Sequence, residues 1–208
     1  MLANLACCFG IISVIFYSLH DMIGGANYKG YNWMSQAVSD LTSLDAPSFY
    51  IANKYLTIYK ISNLISCALL CIINSEKNRI LKLGIYLFAL MNGISFIGYT
   101  LFPLNSAGYD GSIQSFIHAY IITGSVALLS IVSIFLIAGG SLKDKDIVFG
   151  LLSILSLILM FVGAFGVAKF SKQYFGLFER FSIYSTVVFT GIIGIKSFLS
   201  EKLKNKYE

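Results

Sequence analysis

Long apolar runs separated by short polar links dominate this chain. A helix needs about 20 residues to cross a hydrocarbon core. Six runs reach that length, near 2–19, 55–73, 83–102, 113–138, 147–168 and 178–199. The pattern predicts an all-α fold: one polytopic membrane domain over residues 1–208, built as a six-transmembrane helix bundle. No stretch reads as a separate soluble domain, and the prolines are confined to Pro47 and Pro103. Gly163, Gly166, Gly191 and Gly194 lie in the fifth and sixth runs, where small residues let helices approach closely.

The links set an expected orientation. Two of them, Ser75 to Lys82 and Gly139 to Asp146, carry Lys77, Arg79, Lys82, Lys143 and Lys145, and the tail adds Lys202, Lys204 and Lys206. On the other side Lys29, Lys54, Lys169, Lys172 and Arg180 are spread over longer segments. Basic residues in short links stay in the cytoplasm, so the expectation is a multi-pass protein of the cell membrane with both termini cytoplasmic. The link with Lys169 and Lys172 fits least well. The first run begins at Met1 without a basic stretch or a small-residue cleavage site, so a removable signal is not expected.

The first outward loop, from His20 to Lys54, breaks the pattern of short links. Loops this long are usually functional or disordered, and this one is too apolar for disorder. It contains GYNWMSQAVSDLTSLDAPSFYIA, in which Trp33, Met34, Ala37, Val38 and Leu41 recur at helical spacing. The spacing predicts a short interfacial helix lying across the outer mouth, or a lid over a cavity between the spans.

Composition excludes other classes. The chain is 57% apolar and 12% charged, with a mean hydropathy of +0.77, whereas soluble domains carry about 25% charged residues. Its net charge of +5 resides mostly in links and tail, which is a topology signal and not a nucleic-acid footprint. Cys7, Cys8, Cys67 and Cys71 have no zinc-ligand spacing and read as small packing residues. No metal or cofactor is expected, and the partners expected are membrane lipids or a lipid-like ligand.

Polar residues near membrane depth locate the candidate site. His118 lies about five residues inside the fourth run, some 7–8 Å below its boundary, with Gln114 one turn earlier on the same face. Glu179 and Arg180 open the sixth run, and adjacent helical residues diverge by about 100°, so one of them turns into the bundle. Ser39 and Asp40 sit in the long loop. All belong to one membrane face, and charges at depth usually pair or serve a site. The reading assigns His118, Asp40 and Glu179 as candidate catalytic groups, with Ser39, Arg180, Gln114 and Trp33 as candidate ligand contacts.

The order GYNWMSQAVSDL, Phe102-Pro103, His118 and GLFER resembles a prokaryotic membrane family catalogued as domain of unknown function 998, over nearly the whole chain. In that family an aspartate often follows the Phe-Pro pair; here Asn105 stands there, with Asp110 further on. More faintly, the same order is similar to the Frag1/DRAM/Sfk1 membrane proteins, which implies a lipid-facing role.

Three functions compete. In the first, an outer-leaflet pocket binds or processes a lipid: Arg180 pairs with a phosphate, His118 acts as acid or base, and Asp40 or Glu179 orients it. The second is a small transporter or proton-coupled carrier, which calls for polar residues at the midplane. The third is a structural or regulatory membrane protein.

Overall fold

A computed structural model describes residues 1–207. Six helices are long and apolar enough to cross a membrane: α1 (Leu2–Ala26), α2 (Phe49–Ile73), α3 (Arg79–Leu101), α4 (Ile113–Lys143), α5 (Ile147–Lys169) and α6 (Phe175–Tyr207). They form a ring in chain order, closed by α6 against α1. The seam between α2 and α3 is the most sparsely packed of the ring.

The ends of the helices differ from the hydrophobic runs for local reasons. Helix α1 continues past residue 19 to Ala26, because Asp21 finds an ionic partner inside the bundle. Helix α2 starts at Phe49, just beyond Pro47, and α6 runs from Phe175 to Tyr207, through the basic tail. Helix α3 stops at Leu101 because Pro103 lacks an N–H and disfavours helical geometry at Phe102. Helix α4 is not uniform: Ile117–Ile122 forms a π-helical turn between α-helical segments.

Two cores divide the ring along its axis. At the end carrying the basic links, Phe88, Phe149, Phe189, Met91, Ile134, Ile137 and Met160 fill the interior. Phe189 stacks on Phe149 and meets Phe88 edge-on, at centroid distances of 6.0 and 5.7 Å. Small residues bring the backbones together: a Cβ on Gly163 would lie 2.2 Å from Ser182 Oγ across the α5–α6 contact. At the opposite end Tyr17, Val38, Leu41, Ala52 and Val187 form a smaller cluster.

Val38 and Leu41 come from the long loop, which folds over the ring as a lid. The lid is not one amphipathic helix over 33–41. It turns at 33–35 and then forms a five-residue 3-10 helix, Val38–Thr42, which sinks two apolar side chains into the mouth. The reason is anchoring: the carbonyls of Trp33, Met34 and Gln36 are held by α6 and leave no uninterrupted helical ladder.

Candidate functional site

The lid docks on the first turns of α6. Those N–H groups have no partner within the helix, and Leu177 N–H donates to the Met34 carbonyl at 3.0 Å. Gly176 makes the approach possible, since a Cβ there would lie 2.1 Å from the Gln36 carbonyl oxygen.

Arg180, one turn further, is saturated. Its Nε and Nη2 donate to the two carboxylate oxygens of Asp21 at 2.9 and 2.6 Å, and Nη2 also donates to the Tyr31 hydroxyl at 2.8 Å. Nη1 donates to the carbonyls of Trp33, Gly176 and Gln36. A guanidinium has five N–H donors, and here all are engaged by protein. Tyr31 in turn donates to the Ala37 carbonyl at 2.8 Å, and burial pushes its hydroxyl pKa up, so it remains a donor. Tyr184 donates to Asp21 at 3.2 Å.

Asp40 and Glu179 grip successive peptide groups of the lid. Asp40 Oδ2 accepts from Ala37 N–H at 3.2 Å, and Glu179 Oε2 accepts from Val38 N–H at 2.8 Å. The other Asp40 oxygen accepts from Gly108 N–H at 2.9 Å, tying the lid to the loop between α3 and α4. A Leu44 N–H bond to the Leu104 carbonyl strengthens that tie. Burial raises the Asp40 pKa, and the two N–H donors offset part of the rise.

Gln114 and His118 act on the end of α3. Because Pro103 stops that helix, the carbonyls of Phe102 and Pro103 need donors. Gln114 Nε2 donates to Pro103 at 2.8 Å, and His118 Nδ1 lies 2.7 Å from the Phe102 carbonyl. A carbonyl only accepts, so Nδ1 carries the proton and Nε2 is left as an acceptor. His118 sits in the π-helical turn, a feature frequent at functional sites. Its ring lies 4.7 Å from that of Tyr99, whose hydroxyl bonds Thr123.

A layer of incompletely paired polar groups lies beneath the lid. Glu179 is within electrostatic range of Tyr17, Tyr99 and Asp40, and Tyr17 packs on Tyr59 at 4.8 Å. Glu179 Oε1, His118 Nε2 and the hydroxyls of Tyr17 and Tyr59 have no hydrogen-bond partner among the described residues. None of the four is sealed in protein; the sealed partnerless side-chain atoms described are Ser115 Oγ and Thr190 Oγ1. Among the described residues no three His, Cys, Asp or Glu side chains group as a metal site.

Residues 11–196 match the family described as protein of unknown function (DUF998). The chain belongs to the DUF998 family. It is a multi-pass membrane protein. No curated protein and no solved structure matches it.

In this DUF998 chain the motifs noted in the sequence lie at the lid end of the ring in two groups, with no hydrogen bond joining one to the other among the described residues. Asp40 and Glu179 share the Ala37–Val38 turn, and His118 and Gln114 share the Phe102–Pro103 corner. Trp33 is 52% exposed and contributes its carbonyl, while the Ser39 hydroxyl has no partner among the described residues. Asn105 donates to Asp110 and Ser112 and orders the α3–α4 loop. Sequence reasoning missed Asp21, Tyr31 and Tyr99. Asp21 had a signal: an acid one turn from Tyr17 at the end of an apolar run demands a cation, and Arg180 is the basic residue at matching depth.

Proposed function

We propose that this protein binds the polar head of an amphipathic, lipid-like ligand beneath the lid, at the outer-leaflet end of the bundle. The observation that carries the reading is the layer of Glu179 Oε1, His118 Nε2 and the Tyr17 and Tyr59 hydroxyls, none with a protein partner among the described residues. Polar atoms left unpaired at depth are costly, by roughly 1–3 kcal/mol each, unless water or a ligand completes them. The aromatic core below, around Phe88, Phe149 and Phe189, favours a closed pocket over a path through the bundle. At mid-bundle the Asn63 amide donates to Asn92 at 2.5 Å, so those polar groups satisfy each other and supply no substrate contacts. Binding is favoured over turnover: both Asp40 oxygens are engaged by backbone, so Ser39 has no activated base beside it.

The test is the lipid that stays with the detergent-purified protein, identified by mass spectrometry. A triple variant, Tyr17→Phe, Tyr59→Phe and Glu179→Gln, removes free polar atoms and the charge while keeping an acceptor for Val38. Retained lipid should fall several-fold with little change in thermal unfolding. Wild type without bound lipid, or equal lipid in both proteins, would sink the reading.

A further inference from the structure

Among the described residues Lys60 is an unpaired cation in a spanning helix. It lies within α2, and its ammonium donates to Thr100 Oγ1 at 3.0 Å. That hydroxyl is neutral and itself donates to the Phe96 carbonyl. No ion pair involves Lys60 among the described residues, whereas Arg180 is paired with Asp21 and Lys196 with Asp146. An ammonium has three donors, so two remain unused. A cation within a spanning helix without a counter-charge costs a few kcal/mol, which an anion would relieve.

The surroundings suit a phosphate with an acyl chain attached. Lys60 bridges the sparsely packed seam between α2 and α3, level with the last turn of α3, close to the depth of lipid headgroups. Two other polar groups lie nearby: Tyr99, bonded to the exposed Thr123, and His118, within electrostatic range of Lys60. Toward the bundle centre the Asn63 amide of α2 donates to Asn92 of α3, and Ile61, Ile65 and Ile97 are exposed. Gly93 lies on the same face of α3 as Thr100, about 10 Å lower at 1.5 Å per residue. A Cβ there would meet nothing within 4 Å, so that face of α3 has room beside it.

We infer that the α2–α3 seam is the lateral entrance for an anionic phospholipid, with Lys60 as its phosphate contact. This rests on the ligand-binding reading above and moves the phosphate partner from the saturated Arg180 to the unpaired Lys60. Lys60 tethers the seam through Thr100 and turns its free donors to the phosphate as the lipid enters.

The experiment measures thermal stabilisation of the detergent-purified full chain by phosphatidylglycerol, phosphatidylcholine, diacylglycerol and inorganic phosphate. Wild type should prefer phosphatidylglycerol. Lys60→Met, which keeps the apolar stem, should fold as well as wild type and bind that lipid about fivefold more weakly, the loss of one lysine–anion contact. Gly93→Leu, which fills the space beside that face of α3 with Lys60 intact, should weaken all the lipids alike. Equal stabilisation by all three lipids, or an unchanged preference in Lys60→Met, overturns the phosphate contact and leaves the pocket reading standing. Stabilisation by inorganic phosphate matching that by phosphatidylglycerol overturns the lipid assignment. No response to any lipid overturns both readings.

Discussion

Arg180 and Asp21 are 159 positions apart in the chain yet meet through two bonds, 2.9 and 2.6 Å long, with both side chains 11% exposed. The pair fastens α6 to α1 and, through the remaining guanidinium donors, holds the lid carbonyls. Removing one partner of a buried pair strands the other, at about 3–5 kcal/mol. Asp21→Ala should therefore lower the thermal unfolding temperature of the purified protein sharply. Arg180→Lys should fail nearly as badly, because an ammonium cannot reproduce the planar fork. Full stability in Arg180→Lys would show that charge alone matters.

Gly176 gives a steric test of lid docking. Its missing Cβ leaves room for the Gln36 carbonyl, so Gly176→Ala must displace the lid or the first turn of α6. A cysteine at Ser39 should label with maleimide several-fold faster in the Gly176→Ala background. The control is Gly93→Ala, which meets nothing within 4 Å and replaces a helical glycine, stabilising by up to about 1 kcal/mol. Unchanged labelling in Gly176→Ala would disprove the docking as described.

Asp40 predicts a pH dependence. Its folded pKa is raised by burial, the two N–H bonds offsetting only part of the rise. A raised folded pKa means that the contribution to stability is fully present below the unfolded value of about 3.9 and is lost as pH rises through the folded value. Relative to Asp40→Asn, which does not titrate, wild type should thus gain stability as pH falls from 7 toward 4. Melting curves of both proteins across that range check the sign. A wild-type advantage that shrinks on acidification would mean that the N–H donors outweigh burial.

The bundle was legible because apolar run length is a direct physical requirement of the bilayer. The lid was legible in part: Val38 and Leu41 carry the apolar periodicity that buries them. Their 3-10 geometry was not, since it follows from carbonyls captured by Arg180 and Leu177, far along the chain. His118 and Gln114 could be placed on one face by their spacing, but not on the Phe102–Pro103 carbonyls. That pairing requires knowing that α3 ends at a proline beside α4. Asp21 escaped because the apolar run ends before it, and the helix continues only because Arg180 neutralises it.

Orientation can be tested separately. Short basic links predict that the lid end faces outward and both termini inward. In a background with Cys7, Cys8, Cys67 and Cys71 replaced, a cysteine at Ala107 should react with a membrane-impermeant maleimide in intact cells. One at Lys143 should react only after permeabilisation. The reverse pattern would invert the protein and move the proposed ligand to the inner leaflet.

The two nitrogens of His118 separate architecture from binding. Nδ1 satisfies the Phe102 carbonyl at 2.7 Å, and Nε2 is the free acceptor. Asparagine places an amide N–H close to where Nδ1 sits and offers nothing at the Nε2 position. His118→Asn should therefore keep the corner between α3 and α4 and melt near wild type, while retaining several-fold less lipid. His118→Ala leaves the carbonyl unpaired, which costs about 1–3 kcal/mol, so it should lose stability as well as lipid. If Asn and Ala variants lose stability equally and neither changes lipid retention per folded molecule, His118 is a structural clasp, and the pocket beneath the lid must be built without it.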